Sequence, residues 1–304
     1  MRWYLRRPRA SDGARAATRA RTGIAWLAVV GALLADPARG TELSCGDTDA
    51  DGLYETEDIQ ACLDDLQGPG PHVVTLVPDA VFEPHLDAAP YYNELGFVEL
   101  ASHTTLDCQG STIRGIGHTA KRAPSAWGPL WVVTNSDHVS HSQLEIWVRN
   151  CVIDGGMPAS YDEDLEPFDH DIYMGFGLYG VHGGGLIESR VQNTHHACAY
   201  VRSSHDIEID DNEFSDCGGA NNQGSFGQPA VYLFQEGEQI EERIFVRRNW
   251  AIRAGSSLFA TRISEANPQF QTAWMRDVVF EYNYGNQQGS GKPCFVLRGV
   301  RGVV

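Results

Sequence analysis

Apolar residues along this chain recur as a pair two positions apart, followed by a polar bend and one more apolar residue beyond it. The pattern reads Ile146, Val148, Cys151, Ile153, and then Gly184, Leu186, Ser189, Val191. It returns as Ile207, Ile209, Asn212, Phe214, as Ile244, Val246, Asn249, Ala251, and as Val278, Phe280, Asn283, Gly285. A period of two belongs to strands with one buried face, whereas a helix needs apolar residues three and four apart. Two short strands meeting at a polar bend, repeated five times, predict an all-β solenoid. The stretch 198–219, CAYVRSSHDIEIDDNEFSDCGG, is one repeat with nothing inserted, and the step from Ser189 to Asn212 is 23 residues. Steps of 38, 37 and 34 residues elsewhere read as the same coil carrying surface loops.

The alignment fixes which side chains stack. Leu186, Ile209, Val246 and Phe280 form one inward row, and Asn212, Asn249 and Asn283 form an amide ladder that satisfies the bends. Tyr179 and Arg202 face outward as neighbours, with Tyr200, Tyr232 and Phe234 extending the same strip. Over about residues 56–304 the chain resembles the right-handed parallel β-helix superfamily of pectate lyases and polygalacturonases. The resemblance implies a right-handed parallel β-helix, a groove formed by an outward strand face and its flanking loops, and a saccharide ligand. The long loop 156–174 is expected to rise beside the strip as one wall of that groove.

Ahead of the coils, residues 23–35 (GIAWLAVVGALLA) form an apolar run behind an Arg-rich start, which reads as a signal peptide over 1–40. This predicts export to the cell surface or beyond, with no membrane insertion by the mature chain. Residues 41–68 then form a loop and capping helix, and 69–304 the coils, ending without a recognisable polar cap. Export permits disulfides. Of seven cysteines, Cys45 and Cys62 make a pair, while Cys108 and Cys151 fall at the same turn of adjacent coils, as a disulfide or as stacked free thiols.

The formal charge of −17 makes the chain a poor binder of nucleic acid or anionic membrane. A polyanionic ligand would need a local row of arginines or a bridging cation. In the loop before the helix, Asp47, Asp49 and Asp51 alternate, Gly52 follows, and Asp58 closes a twelve-residue span. Calcium takes six to eight hard oxygens, and this spacing supplies them, with the Leu53 carbonyl and Glu55 completing the set. The stretch resembles the calcium loop of dockerin modules. A dockerin has two such loops and this chain has one, so a cohesin partner is not expected.

Candidate chemistry gathers at the outward strip. Elimination or C5-epimerisation of a uronate needs a cation on the carboxylate, a base for the C5 proton and an acid for the leaving oxygen. Arg202, His170 and Tyr179 fit those roles, with Asp169 and Asp171 beside the base and His205 and His182 in one row a turn further on. Tyr200 and Tyr232 offer flat rings to sugar faces. The sequence leaves two other readings open: a non-catalytic adhesion protein, and a glycoside hydrolase using Asp169 with Asp210 or Asp211.

Overall fold

The computed structural model describes residues 40–85, 91–92, 96–115, 121–122, 130–156, 173–218, 228–235, 241–263, 274–287 and 292–301. Within them the chain winds into an all-β parallel β-helix of three sheets. Sheet 1 stacks β1 (Glu42–Cys45), β2 (His72–Leu76), β6 (Thr104–Asp107), β10 (Gln143–Arg149), β13 (Val181–Ile187), β16 (His205–Asp210), β19 (Glu242–Arg247), β22 (Met275–Glu281) and β25 (Val300–Arg301). Sheet 2 stacks β3 (Val81–Phe82), β7 (Thr112–Arg114), β11 (Val152–Asp154), β14 (Arg190–Gln192), β17 (Glu213–Cys217), β20 (Trp250–Ala254) and β23 (Tyr284–Asn286). Sheet 3 stacks β5 (Gly96–Leu100), β9 (Leu130–Asn135), β12 (Tyr173–Tyr179), β15 (Ala199–Arg202), β18 (Val231–Gln235), β21 (Phe259–Ile263) and β24 (Phe295–Leu297). A short pair, β4 (Tyr91–Tyr92) with β8 (Lys121–Arg122), stands apart.

Each coil visits sheets 1, 2 and 3 in turn, and every pairing is parallel. The inward row falls as the periodicity predicts: Val148, Leu186, Ile209, Val246 and Phe280 are successive register partners. The first four are fully buried in one continuous core, and Phe280 packs against its edge. A second row runs Ile146, Gly184, Ile207, Ile244 and Val278. Gly184 is required there, because a Cβ would meet the Ile146 carbonyl oxygen at 2.1 Å.

The bend from sheet 1 to sheet 2 is satisfied by the predicted ladder. Asn249 Oδ1 accepts from the Asn212 backbone N–H and from Asn212 Nδ2, both at 3.0 Å, and Asn249 Nδ2 donates to the Ile209 carbonyl at 2.8 Å. Asn283 Oδ1 accepts from Asn249 in the same way. One coil earlier Ser189 takes the position, its Oγ donating to the Ile187 carbonyl and accepting from the Cys151 N–H. The residue before each rung, namely Asn150, Glu188, Asp211, Arg248 and Tyr282, has φ between 49° and 57°. This left-handed step turns one strand into the next within three residues.

Helix α1 (Thr56–Asp64) lies against β1, β2 and β5, with Ile59 and Leu63 in the core. Cys45 and Cys62 join it to β1 through a disulfide. Cys108 and Cys151 are also bonded, their Cα atoms 4.8 Å apart as befits adjacent coils. A third bridge, Cys198–Cys217, links the start of β15 to the end of β17, and Cys294 is free. No helix among the described residues is long and apolar enough to cross a membrane.

Candidate functional site

The outer face of sheet 3 is layered with aromatic rings and cations. On β12 and β15, Tyr179 and Arg202 are register partners, and Arg202 continues to Phe234 on β18 and Arg262 on β21. Arg298 follows Leu297, the partner of Thr261, and so extends that row. The row beside it runs Gly177, Tyr200, Tyr232, Ala260 and Val296. Alternation in the pleat is what brings both rows outward, since Leu178, Val201 and Leu233 between them are fully buried.

At one end of the face the floor is Trp131. An added Cβ on Gly177 would lie 2.0–2.5 Å from three atoms of the Trp131 ring, so only glycine lets that ring lie on β12. Trp131, Met174 and Tyr200 form a small apolar cluster outside the main core, with Tyr232 and Phe234 packed against it. Tyr200 therefore points out of the coil yet is only 7% exposed, with ring centroids 5.6 Å from Trp131 and 5.4 Å from Tyr232. Burial pushes its hydroxyl well above the usual tyrosine range, while Arg202, which donates to that hydroxyl, pulls the other way. The Arg202 guanidinium lies 4.5 Å over the Tyr179 ring and 5.6 Å from that of Phe234. Tyr232 is half-buried; burial raises its pKa, and Arg262 donates to its oxygen.

Further along, Tyr232, Ala260, Arg262, Lys292, Val296 and Arg298 line a cleft of about 470 Å³. Among the described residues its lining includes three cations and no acid. Arg262 and Arg298 are exposed, and Lys292 is anchored by its Nζ on the Gly255 carbonyl. A backbone clamp stands behind the row. Glu241 is fully buried, accepts the Ser203 N–H at 2.9 Å and a backbone bond from Phe234, and has its pKa held well above the usual range by burial. It fixes the residues on which Arg202 and Phe234 are carried.

His182 and His205 do share a row, as register partners on sheet 1, three residues past Tyr179 and Arg202 around the bend. The Tyr179 ring instead meets His141 and His138, at centroid distances of 4.8 and 5.2 Å. Asp169, His170 and Asp171 lie outside the described residues, as does most of the 156–174 loop. Asp210 and Asp211 stand at the opposite bend, from sheet 1 to sheet 2. Asp210 is buried and paired with Arg247 and Arg248, and Asp211 is the exposed left-handed turn residue. They are away from the sheet 3 face, because the strand that carries them ends on the far side of the coil.

In the loop before α1, carboxylate oxygens of Asp47, Asp49 and Asp58 lie within 4.8 Å of one another, as do those of Asp49, Asp51 and Glu55. Gly52 turns the chain with φ +92°, and Asp47 accepts its N–H at 2.8 Å. Asp58 also caps the helix: its Oδ2 accepts the Glu55 N–H at 2.9 Å and its Oδ1 the Thr48 N–H at 2.8 Å. Burial raises its pKa, but the bonds from Thr48 and Glu55 outweigh that and lower it. Glu55 is further engaged by His85 Nδ1 at 2.5 Å. Leu53 is exposed in this loop.

No family model matches the chain, and no curated protein matches it. Among solved structures it is similar to the crystal structure of a protein from Parabacteroides merdae ATCC 43184 named "putative glycosyl hydrolase". That likeness has a TM-score of 0.46 at 10% identity, over 86% of this chain and 100% of that one.

Proposed function

We propose that the protein binds an anionic polysaccharide, a uronate polymer, along the outer face of sheet 3. One observation carries this reading: a chain of formal charge −17 gathers Arg262, Lys292 and Arg298 in a cleft whose lining, among the described residues, holds no acid. Such a cleft focuses an anion-attracting field and supplies paired guanidinium donors for carboxylates. Tyr232 offers its half-buried ring edge to a sugar face, while Tyr200 supports the floor from beneath. Three disulfides suit an oxidising compartment outside the cell.

Lyase or C5-epimerase chemistry on the bound chain is the catalytic form of this proposal. Arg202 neutralises a carboxylate, Tyr179 beside it donates the proton, and His170 with Asp169 and Asp171 takes the C5 proton. The alternative is binding without turnover, and it is favoured by Arg202 being locked between two rings. Purified protein is incubated with alginate and with pectate, and both binding and unsaturated ultraviolet-absorbing ends are measured. Arg262→Ala and Arg298→Ala are expected to weaken binding and flatten its salt dependence. Equal binding of a neutral glucan would refute the anionic ligand, and binding without new ends or altered epimer ratios would leave the non-catalytic form.

We also propose that the 47–58 loop holds one calcium ion. The donors present are all hard oxygens, which fits that ion, and its role is structural, ordering the loop that leads into α1.

A further inference from the structure

The three cations of the cleft do not stand together. Arg262 and Arg298 each follow a register pair, Thr261 with Leu297, so they lie side by side at the C-terminal rim of β21 and β24. One coil, about 4.8 Å, separates their backbones. Thr261 carries the pairing one residue further and fixes that spacing: its Oγ1 accepts the Arg298 N–H at 2.8 Å and donates to the Arg298 carbonyl at 3.0 Å.

Lys292 stands at the opposite rim, ahead of β24, with its Nζ held on the Gly255 carbonyl. The corner it rests on is braced by Gln287, which accepts the Ala254 N–H at 3.1 Å and donates to the Ser256 carbonyl at 2.7 Å. Between the rims the outward register pair is Ala260 with Val296, a low apolar floor. The cleft therefore has two guanidinium groups on one side and an ammonium on the other. Lys292 is half-buried there, and a half-buried cation favours an anion over a neutral hydroxyl.

A 1,4-linked hexuronate has two edges of matching layout. Its carboxylate leaves C5 on one side of the line from C1 to C4, and O2 and O3 leave on the other. A sugar seated on Ala260 and Val296 with the polymer running along the stack, and with its carboxylate toward the arginines, turns O2 and O3 toward Lys292. A plain uronate has only hydroxyls at that edge.

We propose that the cleft reads a doubly anionic sugar, whose carboxylate meets Arg262 and Arg298 and whose O2 or O3 carries a sulfate or phosphate ester that meets Lys292. This inference rests on the polyuronate reading above and adds the substituent on the second edge.

The test titrates the full chain by calorimetry, at one salt concentration, with alginate, alginate O-sulfated at O2 and O3, alginate O-phosphorylated there, and dextran sulfate. At least one alginate ester is expected to bind about tenfold or more tightly than alginate, the gain of one charge-assisted contact, and the ester that gains identifies the group. In Lys292→Gln, which keeps a donor for Gly255 but no charge, and in Lys292→Ala, the ratio of ester to alginate affinity should fall close to one. Arg262→Ala and Arg298→Ala should weaken both ligands and keep the ratio. Charge acting only at long range would lower the ratio alike in all four variants, and that outcome overturns the proposal. So does a ratio near one in the wild type, a ratio that survives loss of Lys292, or dextran sulfate binding as tightly as sulfated alginate. Alginate bound without preference leaves the polyuronate reading standing, whereas failure of alginate and both esters to bind removes that reading as well.

Discussion

Asn249→Ala tests how the coils are held together. Asn249 is 1% exposed and Asn212 2%, so neither has water at hand to replace a lost partner. Truncation removes the acceptor of the Asn212 N–H and of one Asn212 Nδ2 bond, and the donor to the Ile209 carbonyl. At about 1–3 kcal/mol for each buried group left unsatisfied, and with partial relief by an entering water, the expected loss is about 3 kcal/mol. Asn283 occupies the next rung but is half-buried, so Asn283→Ala should cost about 1 kcal/mol, in the range of an ordinary hydrogen bond. Asn249→Ser should recover part of the loss, because Ser189 already serves one bend in this row. Urea unfolding followed by circular dichroism gives the midpoints. Amide exchange adds a local readout, in which the Asn212 N–H should lose protection. If Asn249→Ala unfolds within experimental error of wild type, or costs no more than Asn283→Ala, the ladder does not hold the bends.

Ile209→Asp places a charge in the middle of the inward row and should lower the melting temperature by an amount equivalent to several kcal/mol; an unchanged transition would break the register. Gly177→Val drives a side chain into the Trp131 ring, so tryptophan emission should shift and polyuronate binding fall, whereas wild-type emission would mean the ring lies elsewhere. His196 is lowered to about 3, first by burial and then by His195, so its neutral form stabilises the fold above the unfolded value near 6.5. That contribution is lost as pH falls from 6.5 toward 3, by at most about 1.4 kcal/mol per pH unit, and His196→Gln should flatten the slope of urea midpoint against pH. Millimolar calcium should raise the melting temperature of wild type but not of Asp47→Ala/Asp51→Ala; an equal rise in both would move the ion elsewhere.

The coil was legible because its inward positions obey a strict local period, and a slip of one residue would turn every side chain to solvent. Hence Leu186, Ile209, Val246 and Phe280, the asparagine rungs and the first bridge, Cys45–Cys62, could all be placed from spacing. The outward face was legible only as far as Tyr179, Arg202, Tyr200, Tyr232 and Phe234, which sit close to the regular 198–219 repeat. Arg262 and Arg298 escaped because loops of differing length separate their strands from the repeat, and register across a loop is a tertiary property. Trp131 escaped for a different reason: its part in the floor depends on Gly177 on the paired strand of the next coil, far away in sequence, and nothing local marks that approach. The Cys198–Cys217 bridge had a signal, since 19 residues is close to the uninserted repeat and brings two cysteines to neighbouring coils.

The placement of the bridges gives the stack a direction. Cys45–Cys62, Cys108–Cys151 and Cys198–Cys217 sew the earlier coils together, and among the described residues no covalent link lies beyond Cys217. A coil touches only its neighbours, so the coils without a bridge are held to the stack by packing and hydrogen bonds alone. Arg262, Lys292 and Arg298 belong to those coils, on or beside β21 and β24. A polymer lying across Arg202, Arg262 and Arg298 would act as a removable thread through these coils, joining them where the described bridges do not reach. Resistance of these coils to proteolysis then becomes a gauge of occupancy, readable without following any reaction.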